Sequence, residues 1–172
     1  MAGSFDIPEN YGLGLAYKFT PVWTFAADVS EIKYGSVNSI ANPLSNLTVL
    51  GNPLGSANGA GFGWRDATVI KVGVSYDYTP DLTLRAGYNH SGQPIPADQT
   101  FFNILAPAVV QNHLTLGGTW KTSQTGELSV AYTHGFKNTV NGSGSIPTNF
   151  GGGNANISLS EDLLGVAYGW KF

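Results

Sequence analysis

The sequence contains no cysteine, few charged residues and no long apolar run. Charged residues make up 11% of its 172 residues, against about 25% in average globular proteins, and a soluble domain needs charge to cover its outside. No run of about 18 apolar residues is present, which excludes a transmembrane helix. The absence of cysteine fits a chain exposed to an oxidising compartment. The net charge of −3 argues against nucleic acid as a partner.

Strict alternation of large and small side chains is the main feature that the sequence does have. In residues 158–172 the large residues occupy every second position from Leu164 to Phe172. A period of two predicts a β-strand whose two faces meet different environments. Large aromatic residues continue to the last position, where soluble chains usually fray. Such a strand is similar to the assembly signal that the barrel-assembly machinery of bacterial outer membranes uses. The predicted signal consists of Leu164, Val166, Tyr168, Trp170 and Phe172.

Six earlier segments show the same alternation, at about 11–19, 22–34, 66–78, 82–89, 110–121 and 127–137. The connections between them alternate between short turns and long loops, and the loops lie at about 35–65, 91–109 and 138–156. This arrangement predicts an all-β fold, an antiparallel up-and-down transmembrane β-barrel with long extracellular loops. Residues 1–10 are interpreted as a cloning scar and a segment leading into the barrel, and residues 11–172 as its strands and loops.

The number of predicted strands is seven, which is odd. Bacterial single-chain barrels have even numbers of strands, from eight upward. Seven strands leave two open edges, which the hydrocarbon of a bilayer does not tolerate. Either residues 1–10 or the loop at about 35–65 hide a further strand, or the chain is part of a larger barrel.

Several segments, taken in order, resemble the FadL/TodX family of outer-membrane transporters of long-chain fatty acids and aromatic hydrocarbons. Each segment alone is a common alternating strand, but the ordered set covers nearly the whole chain. The segments are Asp6–Lys18, Trp23–Val29, Leu84–Tyr88 followed by Pro94 and Pro96, and His113–Gly117.

The resemblance implies the C-terminal half of a fourteen-stranded barrel in a bacterial outer membrane. The missing N-terminal half, or a second copy of the chain, would then close the barrel, and outer-membrane lipid would surround it. The implied function is passive transport of a hydrophobic small-molecule ligand, with no enzyme activity and no cofactor. One alternative is a structural or adhesin-like barrel without transport. A remote alternative is a lipid hydrolase that pairs His113 or His134 with Ser129.

The predicted lumen-facing side carries five polar residues near the middle of the strands: Asp28, Lys71, Arg85, Asn89 and His113. A fatty acid would use Lys71 or Arg85 to bind its carboxylate by a charge-assisted hydrogen bond. In the preferred interpretation, Asp28, Lys71 and Arg85 instead form a structural row of ion pairs. The three histidines lack the spacing of metal ligands, and no metal site is predicted.

One predicted extracellular loop contains four large apolar residues close together, Phe101, Phe102, Ile104 and Leu105. An exposed apolar patch on a loop suggests a capture site for a hydrophobic ligand. The alternative, in which these side chains pack the loops against one another, has equal weight.

Overall fold

A computed structural model describes residues 1–171 of the chain. Phe172, the last residue of the predicted assembly signal, lies outside the described residues.

The described residues form one antiparallel sheet of seven strands, each paired with its neighbours in chain order. This confirms the predicted all-β fold with seven strands. The first strand and the last each pair with a single neighbour within residues 1–171, so the sheet is open and has two edges. The strands are β1 (Asn10–Lys18), β2 (Trp23–Ile32), β3 (Ala67–Thr79), β4 (Leu82–Ser91), β5 (Asn112–Lys121), β6 (Gly126–Val140) and β7 (Ile157–Trp170).

The helices are short and all lie in the long connections. Two are α-helices, α1 (Asn38–Ala41) and α2 (Ser45–Thr48), and four are single 3₁₀ turns. Within residues 1–171, no helix combines the length and the apolar character needed to cross a bilayer. The long connections all leave one end of the sheet, here called the loop end, and the short turns leave the opposite end, called the turn end.

The strand register places the large apolar residues of all seven strands on one side of the sheet, here called the outer face. Leu13 pairs with Val29, and Val29 pairs with Ile70; farther along the sheet, Leu116 pairs with Tyr132. These side chains have no layer above them, and Leu13 is 77% exposed. A continuous apolar face of this extent is typical of a sheet that meets hydrocarbon.

Aromatic rings gather on the outer face near the turn end. The Trp23 and Tyr76 rings stack with their centroids 4.3 Å apart, and the Tyr168 and Trp170 rings lie 6.1 Å apart. Girdles of aromatic residues of this kind mark the interface between hydrocarbon and water in transmembrane barrels.

The packed interior lies under the long loops, on the opposite or inner face of the sheet. Ile95, Val109 and Ile157 are almost fully buried there and pack against Trp64. The buried Asn103 satisfies the loop backbone, because its Nδ2 donates to the carbonyl oxygens of Phe62 and Gln99 at 2.7 and 2.8 Å. Its Oδ1 accepts from Trp64 Nε1 at 2.5 Å. Buried polar groups with full sets of partners hold irregular chain in one arrangement.

An ion pair closes the first long loop where it meets the sheet. Lys33 Nζ contacts Asp66 Oδ2, and the Gly35 N–H donates to Asp66 Oδ1 at 2.8 Å. Because it accepts from Lys33 and from this N–H, the Asp66 carboxyl has a pKa below its usual value. The same hydrogen bond to Asp66 raises the pKa of the Lys33 ammonium.

Closure of this loop should therefore weaken in acid. A carboxyl whose folded-state pKa is lowered stabilises the closed form above its ordinary pKa, and this contribution disappears as the pH falls through the lowered value. We expect hydrogen-exchange protection of the Gly35 N–H to fall over that range. Asp66→Asn should leave the N–H poorly protected at every pH, and the exposed control Asp6→Asn should match the parent protein. Unchanged protection in Asp66→Asn would show that the ion pair does not hold the loop.

Candidate functional site

A row of polar side chains crosses the inner face of the sheet below the loops. Strand register sets the row, because each residue pairs with the next one across the sheet. The only interruption in the row is a glycine on β6. From β2 to β7 the row is Asp28, Lys71, Asn89, His113, Gly135 and Glu161.

The row divides into two bonded groups. Lys71 Nζ lies 3.7 Å from Asp28 Oδ1. His113 is bonded through both ring nitrogens: Nδ1 lies 3.3 Å from Asn89 Nδ2, and Nε2 lies 3.0 Å from Glu161 Oε1. The Asn89 amide nitrogen can only donate, so His113 Nδ1 accepts and Nε2–H donates to the carboxylate. With Asn89 oriented in this way, the neutral imidazole satisfies both contacts.

Gly135 permits the contact between His113 and Glu161, which belong to strands on either side of β6. A Cβ atom at Gly135 would lie 2.7 Å from Glu161 Cγ and 3.0 Å from Val110 Cγ1. Any larger residue would therefore push the carboxylate away from the imidazole. The register of β6 against β7 also shifts between Gly135 and Asn138, directly above this crossing.

The His113 group lies in a recess of about 310 Å³ at the loop end of the inner face, here called the upper recess. Its lining includes the apolar side chains of Val69, Val110 and Leu159 and the polar side chains of Asn89, His113 and Glu161. Buried Asn89 Oδ1 has no hydrogen-bond partner within residues 1–171. An apolar recess with a few converging polar groups is the usual form of a small-molecule site.

A second recess, here called the lower recess, has a volume of about 320 Å³ and lies nearer the turn end. Small side chains form it, because Gly87 and Gly117 lie on the inner face beside Ala131. Arg85 also lines it and donates from Nη1 to Thr119 Oγ1 at 2.7 Å. Within residues 1–171 Arg85 makes no ion pair, so its charge is not neutralised by a carboxylate.

The structure therefore separates the two cations that the sequence offered as carboxylate anchors. Lys71 is paired with Asp28 in the predicted row of ion pairs, whereas Arg85 stands apart from it. Asn89 and His113 lie together in the upper recess.

The four apolar residues of the second long loop do not form one patch. Phe102 stacks on Phe62 with centroids 5.4 Å apart and lines a loop recess of about 480 Å³. Phe101 packs near Phe150 of the third long loop at 5.7 Å. Ile104 and Leu105 remain exposed, at 56% and 75%.

Sequence reasoning missed Glu161 and the role of Gly135. The signal for Glu161 was present, because it continues the inward alternation of Leu163 and Gly165 along β7. No such signal was available for Gly135, because its importance depends on side chains from two other strands.

The histidine–serine pairs of the hydrolase hypothesis are not brought together. Ser129 Oγ lies 2.8 Å from Thr119 Oγ1. His113 pairs with Gly135, six residues away from Ser129 along β6, a separation of about 20 Å in a strand. His134 lies on the outer face and contacts Asp162. Among residues 1–171, no group of three or more His, Cys, Asp or Glu side chains is placed to hold a metal ion.

The described part of the predicted assembly signal lies on the outer face of the edge strand β7. Each of its four side chains is more than half exposed: Leu164, Val166, Tyr168 and Trp170.

Comparison with solved structures places this sheet among known barrels. The Pseudomonas putida toluene transporter TodX superposes with a TM-score of 0.67 and 24% identity, covering 99% of this chain and 36% of that one. A TodX mutant, described as a monoaromatic hydrocarbon channel, gives 0.67 and 25%, covering 99% and 37%. A Pseudomonas aeruginosa FadL homologue gives 0.68 and 15%, covering 95% and 35%. The chain thus spans about a third of the length of these structures.

A comparison with curated proteins finds no match. Residues 3–172 match the family profile described as outer membrane protein transport protein (OMPP1/FadL/TodX). The profile extends over all seven strands and the three long loops, and this agrees with the superpositions on TodX and the FadL homologue. The chain belongs to the OMPP1/FadL/TodX family of outer-membrane transport proteins.

Proposed function

We propose that this sheet forms part of the wall of a passage that carries hydrophobic compounds through a bacterial outer membrane. One observation carries the proposal: an apolar outer face is backed by an inner face on which recesses follow one another from the loop end toward the turn end. No group on the path has to react with the ligand, so movement along it would be passive and driven by the concentration gradient.

The path begins at the loops. The recess beside Phe62 and Phe102 offers stacked aromatic rings to a ligand arriving from outside. The upper recess lies under the same loops, and the facing glycines Gly73 and Gly87 lead from it to the lower recess. Small inward residues leave room for the ligand, and the few polar groups fix its orientation.

We further infer that other strands complete the wall. The two open edges, β1 and β7, need partners within a bilayer because unpaired backbone groups are costly in hydrocarbon. The chain spans about a third of its solved relatives, and this favours further strands of the same protein over a second copy. The exposed apolar end of β7 would be presented to the barrel-assembly machinery.

Filling the path at Gly87 should block transport. A Cβ at Gly87 meets nothing closer than Val72 O at 3.5 Å, so the backbone tolerates a side chain there. We expect Gly87→Leu to reduce uptake of radiolabelled toluene and oleate by cells about tenfold, which corresponds to about 1.4 kcal/mol, because the leucine side chain would occupy space through which the ligand moves. The adjacent Ala86→Leu places the same side chain on the outer face and should leave uptake unchanged. Equal uptake by both variants would exclude the inner face as the path and favour a structural or adhesin-like barrel.

The unpaired charge of Arg85 should distinguish acids from neutral ligands. We expect Arg85→Gln to weaken oleate binding about fivefold, since a charge-assisted hydrogen bond is worth more than a neutral one but is screened at an exposed site. Toluene binding should not change. Lys71→Gln is the matched control, because Asp28 already neutralises Lys71. A larger effect of Lys71→Gln than of Arg85→Gln would contradict this assignment.

The contact of His113 with Glu161, and binding of a ligand in the upper recess, should depend on the absence of a side chain at Gly135. We expect Gly135→Val to separate His113 from Glu161 and to reduce binding of a hydrophobic fluorescent probe, with loss of the hydrogen-bonded Nε2 signal of His113 in the NMR spectrum. Gly165→Val is the control, because the nearest atom to a Cβ there is Ala131 O at 3.9 Å. Retention of the His113 signal in Gly135→Val would show that the glycine is not what permits the contact.

A further inference from the structure

Among the described residues that line the upper recess, Glu161 alone carries a carboxylate. Its Oε1 atom accepts a hydrogen bond from His113 Nε2 at 3.0 Å. Its Oε2 atom makes no hydrogen bond within residues 1–171, and the side chain is 40% exposed. One oxygen of the carboxylate is therefore held in place, and the other can accept a hydrogen bond from a molecule in the recess.

The contact with His113 orients this carboxylate without cancelling its charge. Asn89 Nδ2 donates to His113 Nδ1, so the ring proton lies on Nε2 and the imidazole that faces Glu161 is neutral. No lysine or arginine pairs with Glu161 among residues 1–171, and the lysine of the polar row, Lys71, is already paired with Asp28. The upper recess therefore has a negative charge at its polar end.

The rest of the lining is mainly apolar and lies toward the loop end. Leu159 precedes Glu161 by two positions on β7, which places it about 7 Å nearer the loops. Pro94, Pro107 and Val110 also line the recess. A dry cavity of about 150 Å³ can hold benzene, so a recess of about 310 Å³ has room for one substituted aromatic ring. A ligand arriving from the loops would place its ring against the apolar side chains and its polar end at Glu161.

We propose that the upper recess selects phenols, neutral aromatic molecules that carry a hydroxyl group, and that Glu161 Oε2 accepts a hydrogen bond from that hydroxyl. A phenolic hydroxyl is a hydrogen-bond donor, and a bond from O–H to a carboxylate is charge-assisted and stronger than one between neutral groups. No proton is transferred and no covalent bond changes. The inference rests on the proposed function, because it names a ligand class for one recess on the proposed path.

The same carboxylate disfavours three other classes of ligand. An ionised carboxylic acid would bring a second negative charge close to Glu161, and like charges in one site destabilise each other. An alkylammonium ion has three donors, whereas the carboxylate offers one free oxygen, so burial would leave donors without partners. A plain hydrocarbon fits the apolar lining but leaves Oε2 without a donor once water is displaced, and sites with such groups reject ligands that lack the matching hydroxyl.

The test uses the full-length protein in micelles of dodecyl maltoside and three ligands that share one ring: p-cresol, toluene and p-toluate. Titrations are followed by the NMR resonances of the His113 ring, which report on the upper recess. The affinity of each ligand is compared between the parent protein and the variant Glu161→Gln. This comparison cancels the partitioning of the ligand into the detergent, because that partitioning is the same for both proteins.

Glu161→Gln should change the order of affinities. We expect p-cresol to bind about tenfold more weakly, because the charge-assisted bond is lost. Toluene should bind as before, and p-toluate should bind about fivefold more tightly, because the like charge is gone. Glu127→Gln is the matched control, since it removes a carboxylate of β6 at the turn end and should leave all three affinities unchanged.

Equal weakening of p-cresol and toluene in Glu161→Gln, or p-toluate binding that does not tighten, would overturn the assignment of phenols. A second measurement needs no variant. Saturating p-cresol should shift the Nε2–H resonance of His113, whereas 4-methylanisole, in which a methyl group replaces the hydroxyl proton, should shift it much less. Equal shifts would show that the hydroxyl is not recognised. Toluene uptake that Gly87→Leu still blocks would then leave the proposed function in place, so the two failures can be told apart.

Discussion

The requirement that every backbone N–H and C=O in hydrocarbon have a partner governs this structure. Each interior strand satisfies it by pairing with the strand before it and the strand after it in the chain, as a membrane-spanning sheet must. This lateral pairing fixes the register, and the register decides which side chains meet. The polar row from Asp28 to Glu161 and the small residues below it both follow from it. At the two open edges, β1 and β7, the requirement is not met within residues 1–171.

The polar side chains of the outer face and those of the inner face are arranged differently. On the outer face, His90 and His134 meet acceptors on neighbouring strands. On the inner face, polar groups form a row across the sheet, in which His113 contacts Glu161 and Asn89 Oδ1 has no partner within residues 1–171. Lys71 is neutralised by Asp28, whereas Arg85 makes no ion pair among the described residues. In the proposed passage, Arg85 would be the group available to bind an acidic ligand.

The sequence alone was sufficient for the strands, the assignment of faces and the family. Alternation is local and needs no knowledge of neighbours, so Leu13 and Leu164 were assigned to the same face correctly. The site was harder to predict from the sequence, because it depends on the register between strands. The contact of His113 with Glu161 spans a third strand and requires Gly135. The separation of Phe101 from Phe102 depends on loop packing, which has no periodic signal. The bulge after Gly135 could not be predicted, because the alternation before it is regular.

The position of the buried core has a consequence for the order in which the protein is assembled. Ile95, Val109 and Ile157 belong to or border two different long connections, and they pack together only at the loop end of the sheet. Hairpins can form one after another, because each strand pairs with its predecessor. The core cannot form until those connections have crossed the bilayer, if the loops face outward as in the proposed orientation. Once this core has formed, withdrawing the β4–β5 hairpin or the β6–β7 hairpin would also break the contacts that each makes with the other.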